Sequence, residues 1–153
     1  FAVALEARLP DGLYAARKGA TDSELLFLLA LARVEHQGAS VHDAMRATLD
    51  ETRTLMRAHG IAEPLRFSAA LADGRRLHIF RHASDDAPPT LYVKQGERGS
   101  IVASEPLEGG DNGWRALANG EMLTLTRASA AAHSAAARST GFRSARDPAR
   151  FVN

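Results

Sequence analysis

Among the residues able to do chemistry, the histidines come first, since six of them in one chain invite a metal site. His78 and His82 stand four apart, a spacing that suits one helix face, but they fall in a segment that reads as a strand. There four residues span roughly 13 Å, too far for both to bind one zinc ion. His36, His42 and His59 flank the ends of expected helices and read as solvated or capping. Cysteine is absent, which removes thiolate metal sites, iron–sulfur ligation, disulfides and a cysteine nucleophile from these residues. Gly-x-Ser-x-Gly, Gly-x-x-x-x-Gly-Lys and Gly-x-Gly-x-x-Gly are all missing, so serine-hydrolase, phosphate-loop and dinucleotide readings lack their anchors. Gly109-Gly110-Asp111-Asn112-Gly113 opens no helix and reads as a turn. No metal, no cofactor and no catalytic residue is therefore expected within this chain. Asp22 is singled out because it lies in the first turn of an apolar helix. There the helix dipole favours its charge, and the carboxylate can face a ligand cation beyond the helix tip. An acid at that position also stabilises the helix by itself.

The elements that must position Asp22 are written around it. Thr21-Asp22-Ser23-Glu24 has the capping-box form, with Thr21 accepting from the Glu24 amide and Glu24 reaching back to the amide of Thr21. The helix so started runs to about His36, through Leu25, Leu26, Phe27, Leu28, Leu29 and Leu31, and stops at Gly38. Before it, Phe1 to Leu9 reads as helix with Phe1, Leu5 and Leu9 on one face, closed by Pro10-Asp11-Gly12 and followed by an irregular stretch to Gly19. After it, Ser40 starts a second long helix with Val41, Met45, Leu49, Leu55 and Met56 as its stripe and Gly60 at its end.

The period then changes to two. Leu65 to Leu71 alternates, Asp73-Gly74 marks a two-residue hairpin turn, and Arg75 to His82 continues extended. Thr90 to Gln95, Ser100 to Ser104 and Glu121 to Arg127 read as three further strands, with Glu105 to Gly120 as turns between the last two. Helices followed by hairpin-linked strands indicate an α+β domain on a mostly antiparallel sheet. Five strands need one helical layer, which would leave the other sheet face bare.

The chain of 153 residues has the length of one domain. Of its 45% hydrophobic residues, 30 are alanine, so the core should be thin. A net charge of +1 argues against nucleic acid as a general partner, and the longest apolar run, Leu25 to Ala32, is far short of the roughly 18 residues of a membrane span. A soluble, cytoplasmic protein is expected. The tail from Ala128 to Asn153 is rich in Ala, Ser and Arg without interleaved aromatics and reads as a solvated end. Because the chain opens inside an amphipathic pattern, the expectation is that it is the later part of a longer polypeptide.

Thr21-Asp22-Ser23-Glu24 before a leucine-rich helix, Asp73-Gly74 between strands, Ser100-Ile101-Val102-Ala103-Ser104-Glu105-Pro106-Leu107 and Gly113-Trp114-Arg115 resemble, in this order and spacing, the second half of class II glutamine amidotransferase domains. The similarity covers roughly Gly12 to Arg127 and is nearest the bacterial branch that includes the ergothioneine-pathway amidohydrolase. It implies an N-terminal-nucleophile hydrolase sandwich of αββα layers, of which residues 1–127 would be the C-terminal half and 128–153 a tail. The implied activity is hydrolysis of glutamine or a γ-glutamyl amide, through a thioester on an N-terminal Cys. The family's Asn-Gly oxyanion hole would also lie upstream of the matching segment, since Asn112-Gly113 and Asn119-Gly120 fall in the wrong part of the pattern to replace it, and its carboxylate-binding Arg has no place in this chain. By the same resemblance Asp22 binds the α-ammonium of the substrate, and Thr21 shapes the same wall. Ser104 and Glu105 are assigned to sheet-edge and turn structure. The implied partners are a γ-glutamyl small molecule and the missing N-terminal half, with a homo-oligomer left open. The alternative is a nucleophile-free module that binds an amino acid or a protein, and a structural domain with a nucleic-acid-binding tail ranks last.

Overall fold

The computed structural model describes residues 2–96, 99–107 and 112–126. Four helices precede six strands: α1 Ala2–Glu6, α2 Asp11–Ala15, α3 Asp22–Gln37, α4 Val41–Ala58, β1 Arg66–Ala72, β2 Arg76–Ala83, β3 Tyr92–Gly96, β4 Gly99–Ala103, β5 Trp114–Ala116 and β6 Met122–Thr126. The α+β class and the antiparallel pairing agree with the sequence reading. Phe1, Glu97, Arg98, residues 108–111 and residues 127–153, with the expectations placed on them, lie outside the described residues.

The single five-stranded sheet is corrected to two three-stranded antiparallel sheets, one ordered β1-β2-β6 and the other β4-β3-β5. The extra strand is β5, inside the segment read as turns; its three residues pair with Tyr92, Val93 and Lys94 of β3. Such a short strand carries too little alternation to stand out from the glycines around it. The expected helix from Phe1 to Leu9 is also shorter. It ends at Glu6, and a second short helix, α2, occupies part of the stretch read as irregular. Pro10 is the reason. It cannot extend the first helix, yet its extended backbone (φ −58°, ψ 145°) and free carbonyl, which accepts from Tyr14 N at 2.9 Å, start the next.

Layering follows from alternation along β2. His78, Phe80 and His82 point to the helices, while Leu77, Ile79 and Ala83 point to the second sheet. Phe80 is fully buried among Leu26 and Ala30 of α3, Ala44, Met45 and Leu49 of α4, and Phe67, Ala69 and Leu71 of β1. On the opposite face Ile79 packs with Leu125, Val93, Leu91 and Leu117, which joins the two sheets. The order of layers is thus helices, sheet, sheet. Leu5 and Leu9 fold under α3 against Leu25, Leu28, Leu29 and Leu55 as a separate cluster.

Two polar ties hold this stack. The Arg81 guanidinium, on the inter-sheet side of β2, donates to the carbonyls of Pro89 (2.6 Å), Pro88 (3.4 Å) and Leu117. It thereby secures the chain entering β3 and the chain leaving β5. Between the helices, Arg33 donates to Thr48 Oγ1 (3.1 Å) and Glu51 (2.5 Å), and Glu51 also receives Arg8 at 2.7 Å. The buried hydroxyls of Thr48 and Thr52 donate to the carbonyls four residues back, so neither is left unpaired.

Phe80 is the plug between the helical layer and the first sheet, and alanine-rich neighbours cannot close over its loss. Phe80→Ala is expected to lower the unfolding free energy by about 3–5 kcal/mol, read as the shift in a urea or guanidinium transition. A loss under about 1 kcal/mol would show that the layers collapse together without it.

Candidate functional site

The N-terminus of α3 is built as the sequence required, with one change. Thr21 is the N-cap in extended conformation, and its Oγ1 accepts from Glu24 N at 3.3 Å. Glu24 does not return to the amide of Thr21. Its carboxylate accepts instead from Lys18 N (2.7 Å) and Gly19 N (2.9 Å), which pins the preceding loop against the helix tip. The reciprocal capping box is thereby corrected to a longer-range staple, because the loop before Thr21 folds back far enough to offer two earlier amides. Gly19 suits this approach: a Cβ there would stand 3.3 Å from Glu24 Oε2.

With its cap duties met by Thr21 and Glu24, Asp22 is left exposed, and among the described residues no side chain pairs with its carboxylate. It is a fixed negative charge at the tip of a sixteen-residue helix. Ser23, next to it, lines an open groove of about 710 Å³ that runs beside β1. Phe27 of α3, Met45 of α4, and Phe67 and Leu71 of β1 form its apolar walls. The groove is large enough for a small molecule, and of the residues at this helix tip Ser23 lines it while Thr21 and Asp22 do not.

Asn119 is committed elsewhere. Its Oδ1 accepts from Ala83 N at 2.7 Å and its Nδ2 donates to the carbonyls of Ala83 and Asp85, both at 3.2 Å, so its amide ties down the C-terminal end of β2. Glu105 accepts from Thr90 Oγ1 at 3.0 Å, a link between loops, and Ser104 is exposed in a bend. Among the described residues no group of three or more His, Cys, Asp or Glu is placed to hold a metal ion, and no helix is long and apolar enough to cross a membrane.

A polar cluster that sequence reasoning missed lies between α4 and the first sheet. Asp73 Oδ2 is 3.3 Å from His78 Nε2, His78 Nδ1 is 3.2 Å from Thr124 Oγ1, and Thr124 Oγ1 is 3.1 Å from His42 Nε2. The chain is satisfied when His78 donates to Asp73, Thr124 donates to His78, and His42 donates to Thr124. His42 is therefore neither solvated nor a cap. It is half-buried, edge-on to His78 and Phe80 at ring distances of 5.5 and 5.6 Å. Its members come from α4, the β1–β2 turn, β2 and β6, so only the pairing of β2 with β6 brings them together. The signal present in the sequence was the shared parity of His78 and Phe80 along one strand.

The backbone amides of Arg75 and Arg76 hold the Asp73 carboxyl down, at a pKa of about 2. Burial, and then the neighbouring His78, pushes the His42 imidazole below its usual value, and burial does the same to His82. The folded state therefore takes up protons on these two rings less readily than the unfolded chain, whose histidines titrate near 6.5. Their contribution to stability is complete above that value and is lost as the pH falls below it toward the folded-state values. The urea midpoint is expected to fall between pH 7.5 and pH 5.5, and His42→Gln should flatten that decline. Equal midpoints at the two pH values would refute the assignment.

No family model matches the chain, and no curated protein matches it. Among solved structures, a glutamine aminotransferase class-II domain protein from Silicibacter pomeroyi is similar at 39% identity with a TM-score of 0.73. The match covers 82% of this chain and 56% of that one. The chain therefore has a class II glutamine amidotransferase-like fold, and it spans little more than half the length of that neighbour.

Proposed function

We propose that the chain is the substrate-binding part of a glutamine amidotransferase-type amidohydrolase, which hydrolyses glutamine or a γ-glutamyl amide once a nucleophile-bearing part completes the sandwich. The observation that carries this reading is the 39% identity to a class II domain protein across most of the present chain. Three further features agree with it. The present residues include no cysteine, so the thioester chemistry has to be supplied from outside them. Asp22 offers an uncommitted carboxylate of the kind that selects a substrate ammonium by a charge-assisted contact. The groove beside Ser23 gives a place for the rest of the substrate.

In this reading residues 1–127 are the C-terminal half of the domain and 128–153 a tail outside it. Asp22 is the α-ammonium ligand, with Thr21 fixing the helix tip beneath it. The Ala-Ser-Glu-Pro-Leu segment, Ala103 to Leu107, relates the chain to the bacterial branch of the ergothioneine-pathway amidohydrolase, and a cytoplasmic setting belongs to the same reading. Ammonia production from glutamine by the completed domain is the direct test. There Asp22→Ala should raise KM for glutamine by roughly 10- to 100-fold, the worth of one charge-assisted hydrogen bond, with a much smaller change in kcat. An unchanged KM would remove Asp22 from the site.

The absence of cysteine also supports a second reading, a binding module that needs no completion. Titration calorimetry of glutamine into this chain by itself separates the two. Heat of binding that Asp22→Ala abolishes favours the module, and no heat favours the completed enzyme.

A further inference from the structure

The loop that leads into α3 is held by one side chain. Among the described residues no main-chain carbonyl accepts from Lys18 N or Gly19 N. These successive amides bond instead to the Glu24 carboxylate, one on each oxygen, at 2.7 and 2.9 Å. Both bonds are charge-assisted, and together they form a fork that fixes the peptide between the two residues. The other side of the same stretch is gripped by Arg17. Its guanidinium donates to Gly19 O at 3.4 Å, pairs with Glu6 of α1 at 3.0 Å and lies over the Tyr14 ring of α2 at 5.3 Å. Gly19 is thus tied through its N–H to α3 and through its carbonyl to the two short helices.

Starting the helix does not account for this set of bonds. Thr21 already caps α3 by accepting from the Glu24 amide, a main-chain donor that needs no Glu24 side chain. A glutamate three residues after the cap commonly returns to the cap residue's own amide, whereas this one reaches five and six residues back. Its effect falls on Asp22. The two acids stand two apart on the helix and so do not face each other. Glu24 turns back to the loop, and Asp22 stays exposed with its carboxylate uncommitted among the described residues. A loop released from Glu24 carries two N–H donors within a few residues of Asp22, and a bond from either to that carboxylate competes with a ligand ammonium.

We propose that Glu24 is a positioning residue for the substrate: by holding the amides of Lys18 and Gly19, it keeps Asp22 free and fixed for the α-ammonium. This rests on the reading of Asp22 as the ammonium ligand, and it adds the residue on which that ligand depends. Glu24 acts through Asp22 and does not itself touch the substrate. The Arg17 tie gains a use as well, since it lets α1 and α2 brace the same loop from behind.

Ammonia production from glutamine by the completed domain tests this role. Glu24→Ala should raise KM by about tenfold with kcat within about twofold, because the loss falls on binding and not on the reacting bond. Glu24→Gln keeps the shape and one acceptor oxygen, so its KM should rise only about threefold. In an Asp22→Ala background, Glu24→Ala should change KM by less than about twofold, since nothing is left to position. Exchange of the Lys18 and Gly19 amides should quicken at least about tenfold in Glu24→Ala, with circular dichroism unchanged. An unchanged KM, a fall in kcat at constant KM, or a KM effect that multiplies with that of Asp22→Ala overturns the proposal while the role of Asp22 stands. Should Glu24→Ala fail to fold, Glu24→Gln decides, and a KM equal to that of the unaltered domain overturns the proposal. Asp22→Ala without effect on KM, or a completed domain that makes no ammonia, overturns both the reading and this inference.

Discussion

Everything in this fold depends on β2 being buried on both faces at once. A strand with one wet face can tolerate any polar residue on that side, but β2 has Phe80 sealed against two helices and Ile79 sealed against a second sheet, each with no exposed surface. Polar groups placed among these residues must therefore be paired internally. His78 is paired through Asp73 and Thr124, and Arg81 through three main-chain carbonyls. The two arrangements differ in kind. The histidine chain joins a helix to a sheet through side chains, whereas the arginine captures backbone oxygens that no strand partner could reach.

Alanine shapes the same region from the other direction. Ala30, Ala44 and Ala69 surround Phe80 and let the helices approach the sheet closely, so one aromatic ring fills a space that larger side chains would share in a richer core. The cost of this economy is concentration. Phe80 has no aromatic neighbour of its own burial to share that role, and the inter-helix surface adds the polar tie of Arg33, Glu51 and Thr48 to its leucine contacts.

Local chemistry was legible in the sequence wherever a single residue decides the backbone. Thr21 and Ser40 cap α3 and α4, Gly38 ends α3 with a positive φ of 66°, and the turn after Asp73 reverses the chain through Gly74. Features set by distant partners were not legible. The division into two sheets depends on β6 returning to β2 rather than to β4, which no window of residues encodes. β5 exists because β3 offers it an edge, and His42, His78 and Thr124 meet only after that return. Asp22 was marked by its first-turn position and, more sharply, by the resemblance of Thr21 to Glu24 to a known segment. The groove that Ser23 lines was invisible, since its walls come from α3, α4 and β1, which meet only in the fold.

The strand order of the first sheet also bears on how the chain folds. β6 lies beside β2, with Met122 opposite Phe80, while the whole of the second sheet is spelled out between them. β3, β4 and β5 form an excursion inserted between two neighbouring strands. The β1–β2 hairpin closes over a tight turn at little entropic expense, but β6 docks only across the loop made by that excursion. Local order in the second sheet shortens this loop and lowers the expense of closing it. The arrival of β6, which also assembles the histidine chain, is therefore expected to follow closure of the local hairpins.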